Sequence, residues 1–256
     1  MLIEETIQKL IAMRMPTMAQ ATREQLETAP SNQLSFEDKL GLVVDREWSE
    51  RDNRRVARRI KEAHLAAGAC LEAIDCDPAR GLEKALVGQL MTCQWAKQKQ
   101  NIIITGATGT GKSYLASALA ESVCRRGMRA LFVRVPRIVE ELAVARASGA
   151  YASTLARISR LDVVILDDFL LAPMKDAERR DLLEVLEDRY GRASTIITSQ
   201  MPTKTWHDAL NDPTIADAIC DRVLHNAHLV ELHGPSMRKK KGLKTQKHGS
   251  SAELVG

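Results

Sequence analysis

The sequence predicts an α/β fold, a five-stranded parallel sheet flanked by helices, preceded by a small all-α domain. From residue 101 onward, short apolar runs alternate with segments of helical periodicity, which is typical of a parallel sheet covered on both faces. Before residue 76, the apolar residues recur only at helical spacing. The chain has 256 residues, 45% of them hydrophobic, so it is long enough to form both parts.

The helical N-terminal domain is expected over residues 1–75. Residues 2–28 have the periodicity of an amphipathic helix that breaks at Pro16. Residues 35–74 predict one or two further helices, which start at the capping-box-like sequence "SFED". The Pro- and Gly-containing stretch "CDPARG", 76–81, then indicates a domain boundary.

Strands and helices alternate along the predicted α/β core, residues 76–237. The strands are predicted at 101–105, 129–135, 162–167, 194–199 and 228–232. The helices between and after them are predicted at 112–125, 136–148, 176–190 and 214–225. Residues 238–256 are basic and have no apolar periodicity, so we expect a largely disordered tail there.

The bulk composition indicates a cytoplasmic protein that does not associate with membranes. Five cysteines are scattered without a C-x-x-C pair, as expected for reduced thiols. The N-terminus carries charges and no cleavage site, which argues against a signal peptide. No apolar run approaches the roughly 18 residues of a membrane span. The net charge of +4 is only weak evidence for a polyanionic partner.

The sequence "GATGTGKS", 106–113, matches the phosphate-binding pattern G-x-x-x-x-G-K-[ST] between a predicted strand and a predicted helix. Glycines allow the tight backbone that presents N–H groups to phosphates, and the following helix N-terminus favours anions. Lys112 is expected on the β- and γ-phosphates, and Ser113 on Mg²⁺. The expected ATP-binding residues are Gly106, Thr108, Gly109, Thr110, Gly111, Lys112, Ser113 and Tyr114.

Two acids, Asp167 and Asp168, end the apolar run "VVILDD". Buried carboxylates are costly without a partner, and a metal–nucleotide site would supply one. Asp167 is therefore the expected Mg²⁺-binding acid, directly or through water. Asp168 is either the acid that orients the attacking water or a supporting acid. The end of the next strand, "TSQ", offers Thr198 or Ser199 to the γ-phosphate or the water, or merely to local hydrogen bonds.

These residues carry a resemblance to a known family. "NIIITGATGTGKSYLASALA", "VVILDDF", "TIITSQMPTKTWHDAL", "AICDRVLHNAHLVEL" and "GPSMRKKK" resemble the IstB family, the ATP-binding helpers of insertion-sequence transposition and kin of the helicase loader DnaC. The resemblance covers nearly the whole chain. It implies an AAA+ P-loop core with a helical N-terminal domain, ATP and Mg²⁺ as cofactors, and a transposase as partner.

The resemblance also implies two arginine roles. Arg222, in "DRV", has the position of the arginine finger that reaches the nucleotide of a neighbouring subunit in a homo-oligomer. Arg238, in "GPSMR", has the position of the nucleotide-binding sensor-2 arginine. The residues alone leave other roles open, since Arg222 could form a surface ion pair and Arg238 could belong to the basic tail.

A basic helix, "RDNRRVARRIK", is the candidate DNA-binding element. Like charges at i, i+3 and i+4 repel one another, and a polyanion would relieve that repulsion. Aromatic residues make up 4% of the chain, so backbone contacts to double-stranded DNA are favoured over base stacking. A solvated helix face, balanced by nearby acids, is the alternative. The expected DNA contacts are Arg51, Arg54, Arg55, Arg58, Arg59 and Lys61.

Together these patterns predict a slow ATPase, stimulated by DNA or a partner, that assembles on DNA and assists a transposase, with hydrolysis as the assembly switch. A DnaC-like helicase loader is the alternative from the same fold. A small-molecule kinase would need an arginine-rich lid, for which residues 233–256 are too short and too polar. A module that binds ATP without hydrolysing it remains the third alternative.

Overall fold

The computed structural model describes residues 2–27 and 34–237. The chain forms two compact units, residues 1–58 and residues 59–256. The predicted domain boundary at residues 76–81 lies inside the second unit. The predicted tail, 238–256, lies outside the described residues.

The first unit contains helices α1 (Leu2–Ala12), α2 (Pro16–Glu27) and most of α3 (Phe36–Glu62). Pro16 opens α2, where its missing N–H costs no helical hydrogen bond. The "SFED" sequence caps α3 as expected, because the Ser35 hydroxyl accepts from the Asp38 backbone N–H at 3.1 Å and donates to the Asp38 carboxylate at 2.9 Å.

A small apolar core and one buried acid hold this unit together. Ile7, Leu10 and Ala19 form the core. Glu47 is 5% exposed and accepts hydrogen bonds from the Met18 backbone N–H at 2.8 Å and from Arg51 Nε at 2.6 Å. Glu47 thus connects α3 to the start of α2.

The second unit is built on five parallel strands, and the predicted fold class is confirmed. The strands are β1 (Asn101–Gly106), β2 (Ala130–Arg134), β3 (Val163–Phe169), β4 (Ser194–Ser199) and β5 (Ala227–Leu232). Their order in the sheet is β2-β3-β4-β1-β5. The carboxyl ends of β1, β3 and β4 therefore meet at one edge, where α/β proteins bind their ligands.

Eight helices of the described chain flank the sheet. They are α4 (Lys84–Met91), α5 (Gln94–Lys97), α6 (Lys112–Arg125), α7 (Val135–Ala147), α8 (Tyr151–Ser159), α9 (Asp176–Arg189), α10 (Trp206–Leu210) and α11 (Pro213–Leu224). The four predicted core helices are α6, α7, α9 and α11. None of the helices in the described ranges is long and apolar enough to cross a membrane.

Successive residues of the strands face two separate apolar layers. Ile102 and Ile104 of β1 pack with α4 and α6, whereas Ile103 packs with the layer of α7, α9 and α11. The alternation follows from the two-residue period of a strand. Burial on both faces explains why these strands are apolar at nearly every position.

The segment after α3 packs on the sheet unit. The Ala63 carbonyl accepts from the Phe132 backbone N–H of β2 at 2.8 Å. The Ala66 backbone N–H donates to the Ser117 hydroxyl of α6 at 3.2 Å. These bonds explain why residues 59–75 belong to the second compact unit.

Candidate functional site

The segment Gly106–Ser113 forms a tight loop between β1 and α6. Gly106, Gly109 and Gly111 have φ values of 142°, 84° and 103°, which L-residues with side chains rarely adopt. A Cβ atom on Gly106 would lie 2.3 Å from the Leu232 carbonyl oxygen. Both the backbone conformation and the close packing therefore require glycine at Gly106.

Lys112 is the first residue of α6, and it is 7% exposed. Its Nζ donates to the carbonyl oxygens of Gly106 at 2.7 Å and Ala107 at 3.0 Å. The lysine ammonium is therefore folded back over the loop, next to the helix N-terminus. This arrangement concentrates positive charge where the motif is expected to hold phosphates.

Asp167 is the centre of the polar cluster at the carboxyl edge of the sheet. Its Oδ1 accepts from the hydroxyls of Ser113 at 2.7 Å and Thr198 at 2.6 Å. Asp167 is 5% exposed, so these hydroxyls compensate for its burial. The hydroxyl of Ser113 and the carboxylate of Asp167 lie next to each other and are both hard oxygen ligands. This pair of ligands fits a Mg²⁺ ion.

Asp168 lies in a bulge at the end of β3. The pairing with β4 shifts between Leu166 and Phe169, and Asp168 has a φ of 59°. Its backbone N–H donates to the Thr198 hydroxyl at 3.2 Å, and its carboxylate accepts from Arg134 Nε at 2.8 Å. The bulge turns two consecutive acids in different directions, so that Asp168 meets an arginine instead of Ser113.

The structure distinguishes the two hydroxyl residues that end β4. Thr198 bonds Asp167, whereas the Ser199 hydroxyl is buried and donates to the Phe169 carbonyl at 2.9 Å. Successive strand residues point to opposite faces, which explains the difference. Gln200 accepts from the Thr108 hydroxyl of the phosphate-binding loop at 2.7 Å.

The side chains of two other predicted ATP-binding residues donate to backbone carbonyls of the chain. The Thr110 hydroxyl donates to the Ala107 carbonyl at 2.8 Å and closes the loop on itself. The Tyr114 hydroxyl donates to the Gly68 carbonyl at 3.1 Å. Arg238, the predicted sensor-2 residue, lies outside the described residues.

Arg222 lies at the edge of the sheet opposite the phosphate-binding loop. Asn101, the first residue of β1, donates to the Arg222 carbonyl at 3.1 Å, whereas the loop follows the last residue of that strand. The length of β1 separates them by about 16 Å at 3.3 Å per residue. Arg222 is paired with Glu187 at 3.0 Å and Asp221 at 3.1 Å. Arg222 therefore cannot reach the phosphate-binding loop of its own chain.

A cavity of about 350 Å³ lies beside Arg222, and its lining includes Lys99, Arg189 and His225. Arg189 is 1% exposed, and its guanidinium donates to the carbonyls of Ile158 and Leu161 at 2.9 Å. Burial lowers the pKa of Arg189 to about 10, so it remains a cation at neutral pH. The cavity is thus positively charged.

The six predicted DNA contacts all lie on α3, but their side chains differ in role. Arg51 donates to Glu47 and to the Arg14 carbonyl, and Arg54 contacts Glu50 and the Thr17 hydroxyl. These two arginines brace the helices of the first unit. Exposed side chains are found at Arg55, Arg58 and Lys61, and a half-buried one at Arg59.

Sequence reasoning did not single out Arg80, Arg134 or Gln200, each of which contacts a predicted site residue. Arg134 is the last residue of β2, and Gln200 follows β4 directly. A polar residue at the end of each of these parallel strands is the sequence signal that could have identified Arg134 and Gln200. For Arg80, the spacing offers no comparable indication.

The model of the IstB-like ATP-binding protein family matches residues 8–245. The chain belongs to this family. Among the similar proteins, an insertion sequence ATP-binding protein of Sinorhizobium fredii (y4pL) is 44% identical over 239 residues, which cover 93% of this chain and 98% of that protein. The ATP-binding protein of insertion sequence IS1162 from Pseudomonas fluorescens is 42% identical over 80% of this chain and 89% of its own length.

Solved structures share the fold of this IstB-like chain. A DNA replication initiation factor superposes with a TM-score of 0.59 at 18% identity, covering 75% of this chain and 58% of that one. The DnaC helicase loader superposes with a TM-score of 0.55 at 15% identity, covering 65% and 98%. These similarities establish an AAA+ P-loop fold.

Proposed function

We propose that the chain is a Mg²⁺-dependent ATPase that binds double-stranded DNA and assists a transposase encoded with it. The observation that carries the proposal is the convergence of Ser113 and Thr198 on Asp167, next to Lys112. Because the similar proteins are named as insertion sequence ATP-binding proteins, transposition is favoured over helicase loading as the process served. Such a protein would act in the cytoplasm.

Each part of the nucleotide site has a distinct task in this proposal. Mg²⁺, held by Ser113 and Asp167, would offset the charge that develops on the phosphates. Lys112 binds the β- and γ-phosphates. Thr198 holds Asp167 in place, and Asp168, once separated from Arg134, orients the attacking water. Gly106, Thr108, Gly109, Thr110, Gly111 and Tyr114 shape the loop, with Arg238 as a further contact.

Hydrolysis is proposed to be completed by a second copy of the chain. Arg222 is far from its own loop and lies beside a positively charged cavity, which suits an anionic group of a neighbouring subunit. An arginine supplied in trans stabilises transition-state charge only after assembly. ATP binding would then favour the assembled state, and hydrolysis would release it.

DNA binding is assigned in this proposal to residues 1–75, together with partner binding and self-assembly, and ATP hydrolysis to residues 76–237. The exposure of Arg55, Arg58 and Lys61 supports contacts with the DNA backbone. Arg51 and Arg54 contribute through their position on the same helix, and Arg59 is a less exposed contact.

The experiment is to measure ATP turnover and sedimentation of the full chain, with and without duplex DNA. We expect slow turnover that DNA accelerates, together with ATP-dependent large particles. Lys112→Ala is the control that should abolish both effects. A monomer with DNA-independent turnover would contradict the assembly model, and co-precipitation with a replicative helicase but no transposase would favour the helicase-loader alternative.

A further inference from the structure

Two chain segments enter the sheet side by side at the edge where β2 and β3 begin. The turn 126–129 leads from α6 into β2, and the segment 160–162 leads from α8 into β3. The Val163 backbone N–H donates to the Arg129 carbonyl at 3.1 Å, and Ala130 pairs with Val163. Since the strands are parallel, this edge lies opposite the one that carries the phosphate-binding loop.

Four arginines gather around these two segments: Arg59, Arg126, Arg129 and Arg160. Arg59 is the first residue of the second compact unit, and its Nη1 lies 4.0 Å from the position of a Cβ on Gly127. Arg129 donates from Nη2 to the Arg160 carbonyl at 2.6 Å. Arg126 and Arg160 are exposed, and the other two are half-buried. We call these four residues the amino-edge cluster.

Acids do not neutralise the amino-edge cluster. Among residues 2–27 and 34–237, no carboxylate forms an ion pair with any of its four arginines. Asp162 lies beside the cluster, but its carboxylate accepts from the Arg129 backbone N–H at 2.7 Å. The neighbouring Arg125, in contrast, is paired with Glu121 at 2.6 Å. The cluster therefore carries an excess of positive charge.

Nearby helix ends account for only part of this charge. Arg126 donates to the Ser122 carbonyl at 3.2 Å in the last turn of α6, and Arg129 donates to the carbonyl that follows α8. Cations are favourable at helix C-termini. The Arg160 side chain, however, contacts no helix end in the described part of the chain. A guanidinium has five donors, so donors of the cluster remain available to a ligand.

The layout of the cluster fits the phosphate backbone of a nucleic acid. Guanidinium groups bind phosphates through two parallel hydrogen bonds. Neighbouring strands lie about 4.8 Å apart, and duplex DNA carries one negative charge about every 1.7 Å along its axis. A cluster that extends across the starts of two strands can therefore meet more than one phosphate. Its exposed position suits a polymer backbone better than a small enclosed anion.

We infer that the amino-edge cluster is a DNA-backbone contact carried by the second compact unit. The inference rests on the proposed DNA binding and extends it, because that proposal places the DNA contacts in residues 1–75. Two strands, β4 and β1, separate β3 from β5, the strand that follows Arg222. DNA bound at the cluster would therefore occupy neither the phosphate-binding loop nor Arg222.

The test is duplex DNA binding of the full chain, measured by fluorescence anisotropy over a range of salt concentrations. The double variant Arg126→Gln and Arg160→Gln should bind severalfold more weakly at moderate salt. Its slope of log affinity against log salt should fall by about 1.8, about 0.9 for each lost phosphate contact. Calorimetric ATP affinity should stay within about twofold, since distant sites act independently. Arg137→Gln with Arg180→Gln, at exposed positions of α7 and α9, is the control and should keep the slope.

The possible results separate this inference from the proposed function. If the unmodified chain binds DNA and the Arg126 and Arg160 double variant keeps its slope, the inference is overturned and the proposed DNA binding stands; lost transposase binding in that variant would then assign the cluster to a protein partner. Equal slope losses in both double variants would reduce the effect to net charge and overturn the inference as well. No salt-dependent DNA binding by the unmodified chain would refute both proposals.

A single substitution guards against a folding defect of the double variant. Arg160→Gln alone should lower the slope by about 0.9. Its side chain supports no helix end within the described ranges, so this result does not depend on whether the fold tolerates Arg126→Gln. An unchanged slope in Arg160→Gln would remove Arg160 from the DNA contact and contradict the inference.

Discussion

Single hydroxyl groups decide how the acid at the end of β3 is presented. Thr198 and Ser113 both donate to Asp167, while the neighbouring Ser199 hydroxyl is used by a backbone carbonyl. These two hydroxyls therefore fix the orientation of the buried carboxylate. Orientation of this kind contributes to catalysis, because the site need not reorganise during the reaction.

Thr198→Val is expected to lower the ATP hydrolysis rate about tenfold, because Asp167 loses one of its two hydroxyl donors. ATP affinity should change by less than about threefold, since Lys112 and the loop stay intact. Phosphate release and calorimetric ATP binding measure the two quantities. Ser199→Ala is the matched control, and a larger rate loss in that variant would assign the catalytic hydroxyl to Ser199.

Arg134→Gln is expected to raise ATP turnover in the absence of DNA severalfold. The change removes the ion pair with Asp168, which in the proposed mechanism must separate before Asp168 can orient the attacking water. Asp168→Asn should instead lower turnover about tenfold or more, as for a lost catalytic acid–base group. Arg137→Gln, an exposed neighbour on α7, provides the control. Equal turnover in Arg134→Gln and the unmodified chain would show that the ion pair does not restrain hydrolysis.

Helix α3 combines two kinds of polar residue along its length. Its first half carries Glu47, which is buried and bonds the start of α2, and its second half carries the basic residues. The helix is therefore both a structural support and a candidate DNA-binding surface. Two separate experiments address the two roles.

Glu47→Gln is expected to destabilise the helical unit by about 1–3 kcal/mol, because a buried charged hydrogen-bond acceptor is lost. Burial opposes the ionised form of Glu47, but hydrogen bonds from Arg51 and Met18 outweigh it and hold its pKa below the ordinary value of 4.5. The ionised carboxylate thus stabilises the fold above pH 4.5, and this contribution is lost as the pH falls through the lowered pKa.

Circular dichroism during urea and acid titration measures both effects. The unmodified chain should lose helix in a step below pH 4.5 that is weaker or absent in Glu47→Gln. Glu50→Gln removes an exposed ion pair of the same helix and should cost less than about 0.5 kcal/mol. Identical acid titrations for the Glu47 variant and the unmodified chain would contradict the linkage.

Exchanging Arg55 and Arg58 for Glu should abolish duplex DNA binding at moderate salt and reduce the salt dependence of the affinity. Phosphate contacts release counterions, so each lost contact lowers the slope of log affinity against log salt by about 0.9. Fluorescence anisotropy at several salt concentrations measures both. The control is the double variant Lys84→Glu and Lys97→Glu, which makes the same change in net charge at exposed sites elsewhere. If both double variants lose DNA affinity equally, the loss results from net charge and not from contacts of Arg55 and Arg58.

For the whole molecule, the nucleotide loop and Arg222 lie at opposite edges of one sheet. In the proposed mechanism, a single chain therefore carries two half-sites that do not meet within it. Repeated head-to-tail contact between copies would bring the halves together, and such contacts build rings or filaments. In the proposed mechanism, hydrolysis therefore depends on assembly.

Arg222→Ala is expected to lower DNA-stimulated hydrolysis at least 100-fold, since a trans arginine contributes that much or more to phosphoryl transfer. Mixing it with Lys112→Ala should restore part of the turnover, because one variant supplies an intact loop and the other an intact arginine. Phosphate release over a range of mixing ratios measures the effect. Arg192→Ala, at an exposed position, is the control. No recovery in any mixture would contradict a role across subunits.

The sequence by itself determined the elements that depend on local signals. The alternation of strands and helices, the phosphate-binding loop, the two acids after β3 and the cap at Ser35 were all predicted, because periodicity, glycine spacing and capping act within a few residues. These signals do not depend on how distant segments pair.

Only the tertiary structure decided which side chains meet. The order β2-β3-β4-β1-β5, the bulge that separates Asp168 from Asp167, the choice of Thr198 for Asp167 and the burial of Arg80 against Thr110 all join residues far apart in the chain. Such contacts result from strand pairing and the packing of helices on both faces of the sheet, which no local pattern encodes. The same packing places Arg222 at the opposite edge from the loop.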